Sequence, residues 1–497
     1  MATMSSPVPP GETAASAVGE LLDDRRAGPA ALRGGALRSG SYALSIGLGL
    51  LSAPLLIRHL GLATFGRYSA VLAIVTIVGG ITDAGLFNIG LREWAAKRGE
   101  QRTQTMRDLL GLRLELSAAG VIVGTAFVAV AGYGHTLVLG TLLAGCGMVT
   151  QSTANFLTVG LQGDMRFGWT SALDLIRQTV TVAAIVVLVV AGVGLLWFLA
   201  VPIVTGVVVA AVTAVLVRGR MPRIPTLRGR RRWAMLRDTI PYAAAIALNT
   251  LYFRVTIVIM SLASSARQTG YFATSFRVTE ILVGIPALAV GAAFPILARA
   301  AGADSDRFAH ATRRILELAL IVGAVFVLSV VLIAPFAIEV LAGHAGAPAA
   351  PVLQIQGLTL IATFLSLASG FALLSLRRHV ALLVANCDAL TANIVLTLVL
   401  IPVAQARGAA AAAAIAEGCL AAGQLALLGR ASGIRLSGAA IRPVALASAA
   451  GALPLLAPIH PVLRTVAGLS LFTCVLALQR AFPPELMQLI GARRSLR

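Results

Sequence analysis

The sequence predicts an all-α polytopic membrane protein with about 14 transmembrane helices. Three observations predict it. Hydrophobic residues fill 58% of the 497 positions and charged residues only 12%. Mean hydropathy is +0.88, well beyond a soluble domain. Apolar stretches recur at lengths near the ~20 residues that cross roughly 30 Å of hydrocarbon. Finally, the arginines crowd into every second gap between those stretches, the charge asymmetry that orients helices in a membrane. Open sheet edges are excluded from lipid, and no stretch shows the ten-residue alternation of a barrel, so the spans are helices.

In chain order, residues 1–38 are rich in Ala, Gly, Pro and Ser and carry Asp23 and Asp24 without an apolar core. They read as a flexible cytoplasmic tail and not as a signal peptide. Span 1 (41–57) follows Arg25, Arg26, Arg33 and Arg38 and stops at Arg58. Span 2 (68–90) leaves Arg67 and runs into Arg92, Lys97, Arg98, Arg102 and Arg107. Spans 3 (109–132) and 4 (137–160) form a hairpin that returns to Arg166. Spans 5 (168–191) and 6 (194–217) end at a loop, 218–238, with eight arginines between Arg218 and Arg237. Pro222 and Pro225 there block helix continuation. Spans 7 (240–264) and 8 (271–298) flank Arg267 and lead to Arg299, Arg307, Arg313 and Arg314. Span 9 is 313–334. Spans 10 (351–375) and 11 (379–401) flank Arg377 and Arg378, and Arg407 precedes span 12 (408–429). Arg430, Arg435 and Arg442 introduce spans 13 (440–457) and 14 (461–480), whose turn holds Pro454, Pro458 and Pro461. Beyond them lie Arg480, Arg493, Arg494 and Arg497.

This alternation puts both termini in the cytoplasm and makes the number of spans even, as in a multi-pass protein of the inner (plasma) membrane. The net charge of +20 is spread over many short loops with no soluble domain to carry it, which excludes nucleic acid as a partner. Cys146, Cys387, Cys419 and Cys474 stand singly within spans and read as small buried residues, with no metal spacing. No phosphate-binding Gly-x-x-x-x-Gly-Lys-[Ser/Thr] run occurs, and no cofactor is expected.

The basic loop leaves six spans before it and eight after it. A faint repeat relates the parts: Thr64-Phe65-Gly66-Arg67-Tyr68-Ser69-Ala70 opens span 2, and Gln268-Thr269-Gly270-Tyr271-Phe272-Ala273-Thr274 opens span 8. Superposing Gly66 on Gly270 also brings Gly80 onto Gly284. Six spans per copy insert the same way up, which implies a twofold axis along the membrane normal.

The run Arg58-His59-Leu60-Gly61-Leu62-Ala63-Thr64-Phe65-Gly66-Arg67-Tyr68, with Asp83-Ala84-Gly85-Leu86 after it, resembles the opening hairpin of the polysaccharide-biosynthesis flippases. These are the Wzx-like branch of the multidrug/oligosaccharidyl-lipid/polysaccharide (MOP) exporter superfamily. Tyr271 to Arg277, then Gly284, Pro286, Pro295 and Arg299, resembles that family's span 8. Arg377-Arg378, Asn393, Leu400-Ile401-Pro402 and Gly408-Ala409-Ala410 resemble its span 11 to 12 region. One departure is Phe253 before Arg254, where members often carry Asp. The resemblance implies two six-helix lobes around a central cavity worked by alternating access, plus two C-terminal helices. It gives an N-lobe at 39–217, a linker at 218–238, a C-lobe at 239–430, and spans 13–14 with a tail at 431–497. The implied function is flipping of a polyprenyl-diphosphate-linked oligosaccharide from the cytoplasmic to the outer leaflet. The implied partners are that lipid-linked glycan, membrane lipid, and glycosyltransferases or a polymerase of the same pathway.

The residues themselves offer candidate sites. Arg177, Arg254 and Arg277 lie inside spans, where an arginine costs about 2.5–3.5 kcal/mol on insertion scales. A water-filled cavity removes most of that cost, and a guanidinium fork suits a diphosphate. Asp174 and Glu280 stand three residues from Arg177 and Arg277, so internal ion pairing explains those two equally well. Arg254 has no acid within a helical turn of its own helix. Gln151, Asn155, Thr158 and Gln162 make a polar stripe on span 4 whose amides suit sugar hydroxyls. Asp388, Glu417 and Asp83 are acids at span depth, candidates for coupling to an ion. Arg113 and Glu115 read as interfacial. Rival readings are a lipid II-type flippase, a MATE-type drug/cation antiporter, whose cavity should be acidic, and a membrane glycosyltransferase, which needs catalytic carboxylates at a membrane face.

Overall fold

The computed structural model describes residues 27–83, 85–219, 221–222, 225, 231–303 and 305–481. Among them every regular element is helical. In order these are α1 (Ala27–Asp83), α2 (Leu86–Ala96), α3 (Gly99–Val130), α4 (His135–Leu157), α5 (Val159–Gly163), α6 (Phe167–Val190) and α7 (Leu195–Leu216). Then follow α8 (Arg231–Ala263), α9 (Ala266–Ala303), α10 (Ser305–Ala342), α11 (Ala350–Gly357), α12 (Thr359–Ser375), α13 (His379–Ser432), α14 (Gly438–Ala452) and α15 (Pro461–Leu478). Eleven of these segments are long and apolar enough to cross a membrane, so the chain is a multi-pass membrane protein. The expected tail lies outside the described residues up to 26, and residues 27–38 form the first turns of α1. Of the expected linker, residues 231–238 belong to α8. The C-terminal tail from 482 lies outside the described residues.

Two of the longest helices are broken. In α1, Gly61 adopts φ 73°, ψ 159°, a conformation open to glycine and strained for other residues. In α13, Gln405 takes φ 52°, ψ −127°, three residues after Pro402. That break is held from outside: the Ser264 hydroxyl donates to Gln405 Oε1 at 2.5 Å. Gly408 follows because a Cβ there would strike the Leu400 carbonyl group of the returning backbone.

Apolar packing ties the molecule together unevenly. One core gathers Leu56, Ile57 and Phe65 of α1, Ile257 and Met260 of α8, Phe272 of α9, and Ile338 of α10. It therefore spans both halves of the chain. Two others draw their buried residues from one half each: Trp94, Met106, Leu109 and Phe156 in the first, with Ala243 of α8 packed against them, and Leu297, Phe308, Leu316 and Phe364 in the second. A further cluster seats α14 and α15 on α10 through Leu328, Leu332, Val444 and Phe472. The largest core shared by the halves thus lies at the end of the Gly61 bend and the α8–α9 turn, and the halves also touch further along, where Gly80 of α1 meets Thr250 of α8.

That junction includes a reciprocal contact between the repeat motifs. A Cβ on Gly66 would meet the Ala266 oxygen and come within 2.7 Å of the Gly270 nitrogen. A Cβ on Gly270 would meet the Leu62 oxygen and come within 2.7 Å of its carbonyl carbon. Leu62 and Ala266 each lie four residues before their glycine, so both copies make the same backbone approach to each other. Beside it, Arg58 donates to the Glu339 and Val340 carbonyls at 3.0 and 2.8 Å. Tyr133 and Ser261 hydroxyls meet at 2.6 Å.

The cysteines correct the sequence expectation. Cys146, Cys387, Cys419 and Cys474 are all exposed. A cysteine is apolar enough to face lipid as readily as a core.

Candidate functional site

α8 and α9 form an antiparallel hairpin through Ser264, so side chains roughly 15–20 Å from the turn come level with each other. Arg254 of α8 there pairs with Glu280 of α9. Glu280 also accepts from Arg277 at 3.3 Å, one turn before it. The acid lacking on Arg254's own helix is supplied by the neighbour. Two guanidiniums share one carboxylate, which leaves one net positive charge. The Arg254 guanidinium also lies 5.5 Å from the centre of the Phe276 ring. None of the three is sealed off: the side chains are 25%, 45% and 29% exposed for Arg254, Arg277 and Glu280.

This triad forms one wall of a cavity of about 160 Å³ between the halves. The facing wall comes from the first half: Ser52, Tyr68 and Ser69 of α1 and Gln178 and Thr181 of α6. At the offset that superposes Gly66 on Gly270, Arg254, Arg277 and Glu280 correspond to Leu50, Ala73 and Thr76. The charge therefore belongs to the second copy alone.

Arg254 and Glu280 also line a second cavity, of about 400 Å³, walled mainly by the second half with Thr76 of α1 at its border. Its far wall carries Glu417, which accepts from the Tyr252 hydroxyl at 2.5 Å and from Ser366 at 3.1 Å. Asn393 donates to Thr256 at 3.1 Å on another wall. Gln356, 2% exposed, lines the same space and neither of its amide atoms has a hydrogen-bond partner. A buried amide without partners costs of order 1–3 kcal/mol, which an occupant of the cavity would offset.

A third cavity, of about 280 Å³, lies in the first half. Asp83 at its edge pairs with Arg113, which is held by the Ser152 carbonyl at 3.1 Å. Arg113 is thus buried, 5% exposed, and not interfacial as its position in the sequence predicts. Across the cavity Arg177 donates to Asn155 at 2.7 Å and lies 3.5 Å from Asp174. Because Arg113 is buried, Asp83→Asn is expected to cost about 3 kcal/mol, the cost of stranding one buried charge. A thermal melt in detergent would read it; an unshifted melting temperature would mean the pair is not structural.

The remaining predicted residues lie apart. Gln151 lies on α4 against α7, 3.5 Å from the Pro202 carbonyl, outside these three cavities. Asp388 is exposed in a surface cleft with Cys419 and Arg430, away from Glu417. Sequence reasoning missed Tyr252, Gln356, Thr363 and Ser366 around Glu417. Each reads as an ordinary span residue, and only their convergence from α8, α11, α12 and α13 marks them.

Comparisons with known proteins bear on this arrangement. The model of the family described as "Polysaccharide biosynthesis protein" matches residues 31–301, more than half of the chain. No curated protein matches. Among solved structures, the lipid II flippase MurJ in an inward closed conformation superposes with a TM-score of 0.75 at 12% identity, covering 89% of this chain and 98% of that one. A multidrug resistance MATE family transporter of the MOP superfamily, inward-facing, does so with a TM-score of 0.62 at 14% identity, covering 79% and 94%. A MOP superfamily transporter from Pyrococcus furiosus, described as having a binding pocket of reversed polarity, gives 0.53 at 14%, covering 80% and 94%. At these identities the likeness is one of fold.

Proposed function

Because the chain belongs to the polysaccharide biosynthesis protein family, we propose that it flips a polyprenyl-diphosphate-linked oligosaccharide from the cytoplasmic to the outer leaflet by alternating access. The observation that carries this reading is the triad: two guanidiniums on one carboxylate, open to a cavity between the halves. A diphosphate offers several acceptor oxygens to such a pair, and charge-assisted bidentate contacts are among the strongest polar ones. An organic-cation cargo would instead meet a net positive wall, which counts against the drug-antiporter reading. Lipid II carries the same diphosphate, and the MurJ-like fold favours it as the second reading.

In this reading the spans number fourteen: the eleven apolar segments, two more from the breaks at Gly61 and Gln405, and α9. Spans 1–6 (39–217) and 7–12 (239–430) make the two lobes, joined by the basic linker 218–238, with spans 13–14 appended. The arginine-rich gaps face the cytoplasm of an inner membrane, with both termini there. The shared apolar core then lies at the outer end, so the cavity is closed outwards.

Arg254 and Arg277 hold the diphosphate, with Arg177 and Asn155 reaching the cargo from the first half. Coupling to an ion rests on Glu417, the acid buried in the second cavity beside Arg254. Glu417→Gln is expected to leave cargo binding within about two-fold while abolishing acceleration of transport by an imposed proton or Na⁺ gradient. Equal acceleration in variant and wild type would remove Glu417 from that role.

The test of function is direct. In proteoliposomes, a radiolabelled polyprenyl-diphosphate glycan should become accessible to external glycosidase faster than in protein-free vesicles. A peptide-bearing lipid II arm separates the second reading. Equal rates with and without protein for both cargoes would overturn the proposal.

A further inference from the structure

We infer that the first-half cavity is a separate subsite for a neutral sugar unit of the cargo; this rests on the proposed function and assigns the glycan a place apart from the diphosphate. Charge is the first reason. The cavity holds Arg113 and Arg177 with Asp83 and Asp174, each cation beside an anion, so the net charge is zero. The triad cavity has two cations against one anion. An anionic group entering the first-half cavity would meet two carboxylates; a neutral, hydroxyl-rich group would meet donors and acceptors in alternation.

Lining chemistry is the second reason. Beside the ion pairs the lining includes the amides of Asn88, Asn155 and Gln162, the hydroxyls of Thr158 and Thr170, and Phe87. Amides, carboxylates and hydroxyls satisfy sugar hydroxyls, which both donate and accept. An aromatic face covers the apolar C–H surface of a pyranose. This polar space has a volume of about 280 Å³.

Continuity is the third. Thr181 and Gln178 of α6 line the triad cavity, and Arg177, Asp174 and Thr170 of the same helix line this one. From Thr181 to Thr170 the helix runs roughly 16 Å. A cargo with its diphosphate on Arg254 and Arg277 can lay its glycan along α6 into the first half. Asp83 and Arg113 then serve as a fixed pair that offers a sugar both an acceptor and a donor, with Arg113 anchored by Ser152.

The experiment uses the full chain in nanodiscs and three probes: undecaprenyl diphosphate, the lipid-linked oligosaccharide pool extracted from producing cells, and the free glycan released from that pool by mild acid. Gln162→Leu and Phe87→Ala are compared with wild type. The expected result is at least a ten-fold loss of the affinity ratio of glycan-bearing to bare lipid in each variant. Bare-lipid affinity should stay within two-fold, and free glycan should compete with the pool in wild type only. If bare lipid and pool weaken together, or the ratio holds, the subsite is overturned. Should bare lipid fail to bind wild type, the diphosphate reading falls, while the subsite still stands or falls on competition by free glycan.

Discussion

Arg254→Ala is expected to abolish flipping of the lipid-linked cargo while the protein still folds. The substitution removes the guanidinium that connects α8 to α9 and reaches both the triad cavity and the second-half cavity. It leaves Glu280 with Arg277, so the site becomes neutral. Hydrogen bonds to charged groups are worth about 1.5–3 kcal/mol, so losing one from the bound diphosphate lowers affinity by roughly ten- to 150-fold. Arg254→Lys should recover part of it, since an ammonium supplies the charge without the planar fork. Folding is expected to survive because the side chain is a quarter exposed and Glu280 keeps a partner. The measurement is the glycosidase-protection assay, with a detergent melt as control. Undiminished transport in Arg254→Ala would remove this residue from the site.

The second large effect is expected at Gly66 and Gly270. A side chain at either position meets backbone of the opposite copy, and no rotamer change relieves it. Overpacking of this kind typically costs about 1–3 kcal/mol, enough to shift a closed-to-open equilibrium by roughly five- to 150-fold toward open. Gly66→Val should therefore unseal the end where the halves meet. In a background freed of the four native cysteines, a cysteine placed at Ser69, in the triad cavity, reports this through an impermeant maleimide. Labelling from the outer side should rise roughly five-fold or more in Gly66→Val and in Gly270→Val. An unchanged rate in both would show that this contact is not the seal.

Much of this was legible before the structure. Lipid forces helices, so the all-helical, multi-pass character followed from hydropathy, and eleven of the described segments are long and apolar enough to span. The paired glycines Gly66 and Gly270 were visible too, because only glycine permits the backbone approach between them. Partnerships across helices were not legible. Glu280 was seen as a neighbour of Arg277, but its reach to Arg254 depends on the α8–α9 hairpin placing the two level. Arg113 looked interfacial because hydropathy counts residues along a helix and is blind to a partner on another, here Asp83 at the end of α1. Gln356 carries no sequence signal at all, since its isolation is a property of the cavity it lines. The cysteines misled because lipid and protein interior make the same demand on a small apolar side chain.

The charge asymmetry between the two copies has a mechanical corollary. Both guanidiniums and their shared carboxylate ride on one hairpin, while the matching positions of the other copy are Leu50, Ala73 and Thr76. A cargo's anionic end would stay clasped by one rigid body through the whole cycle, as by a hand, while the other body swings past it as a door.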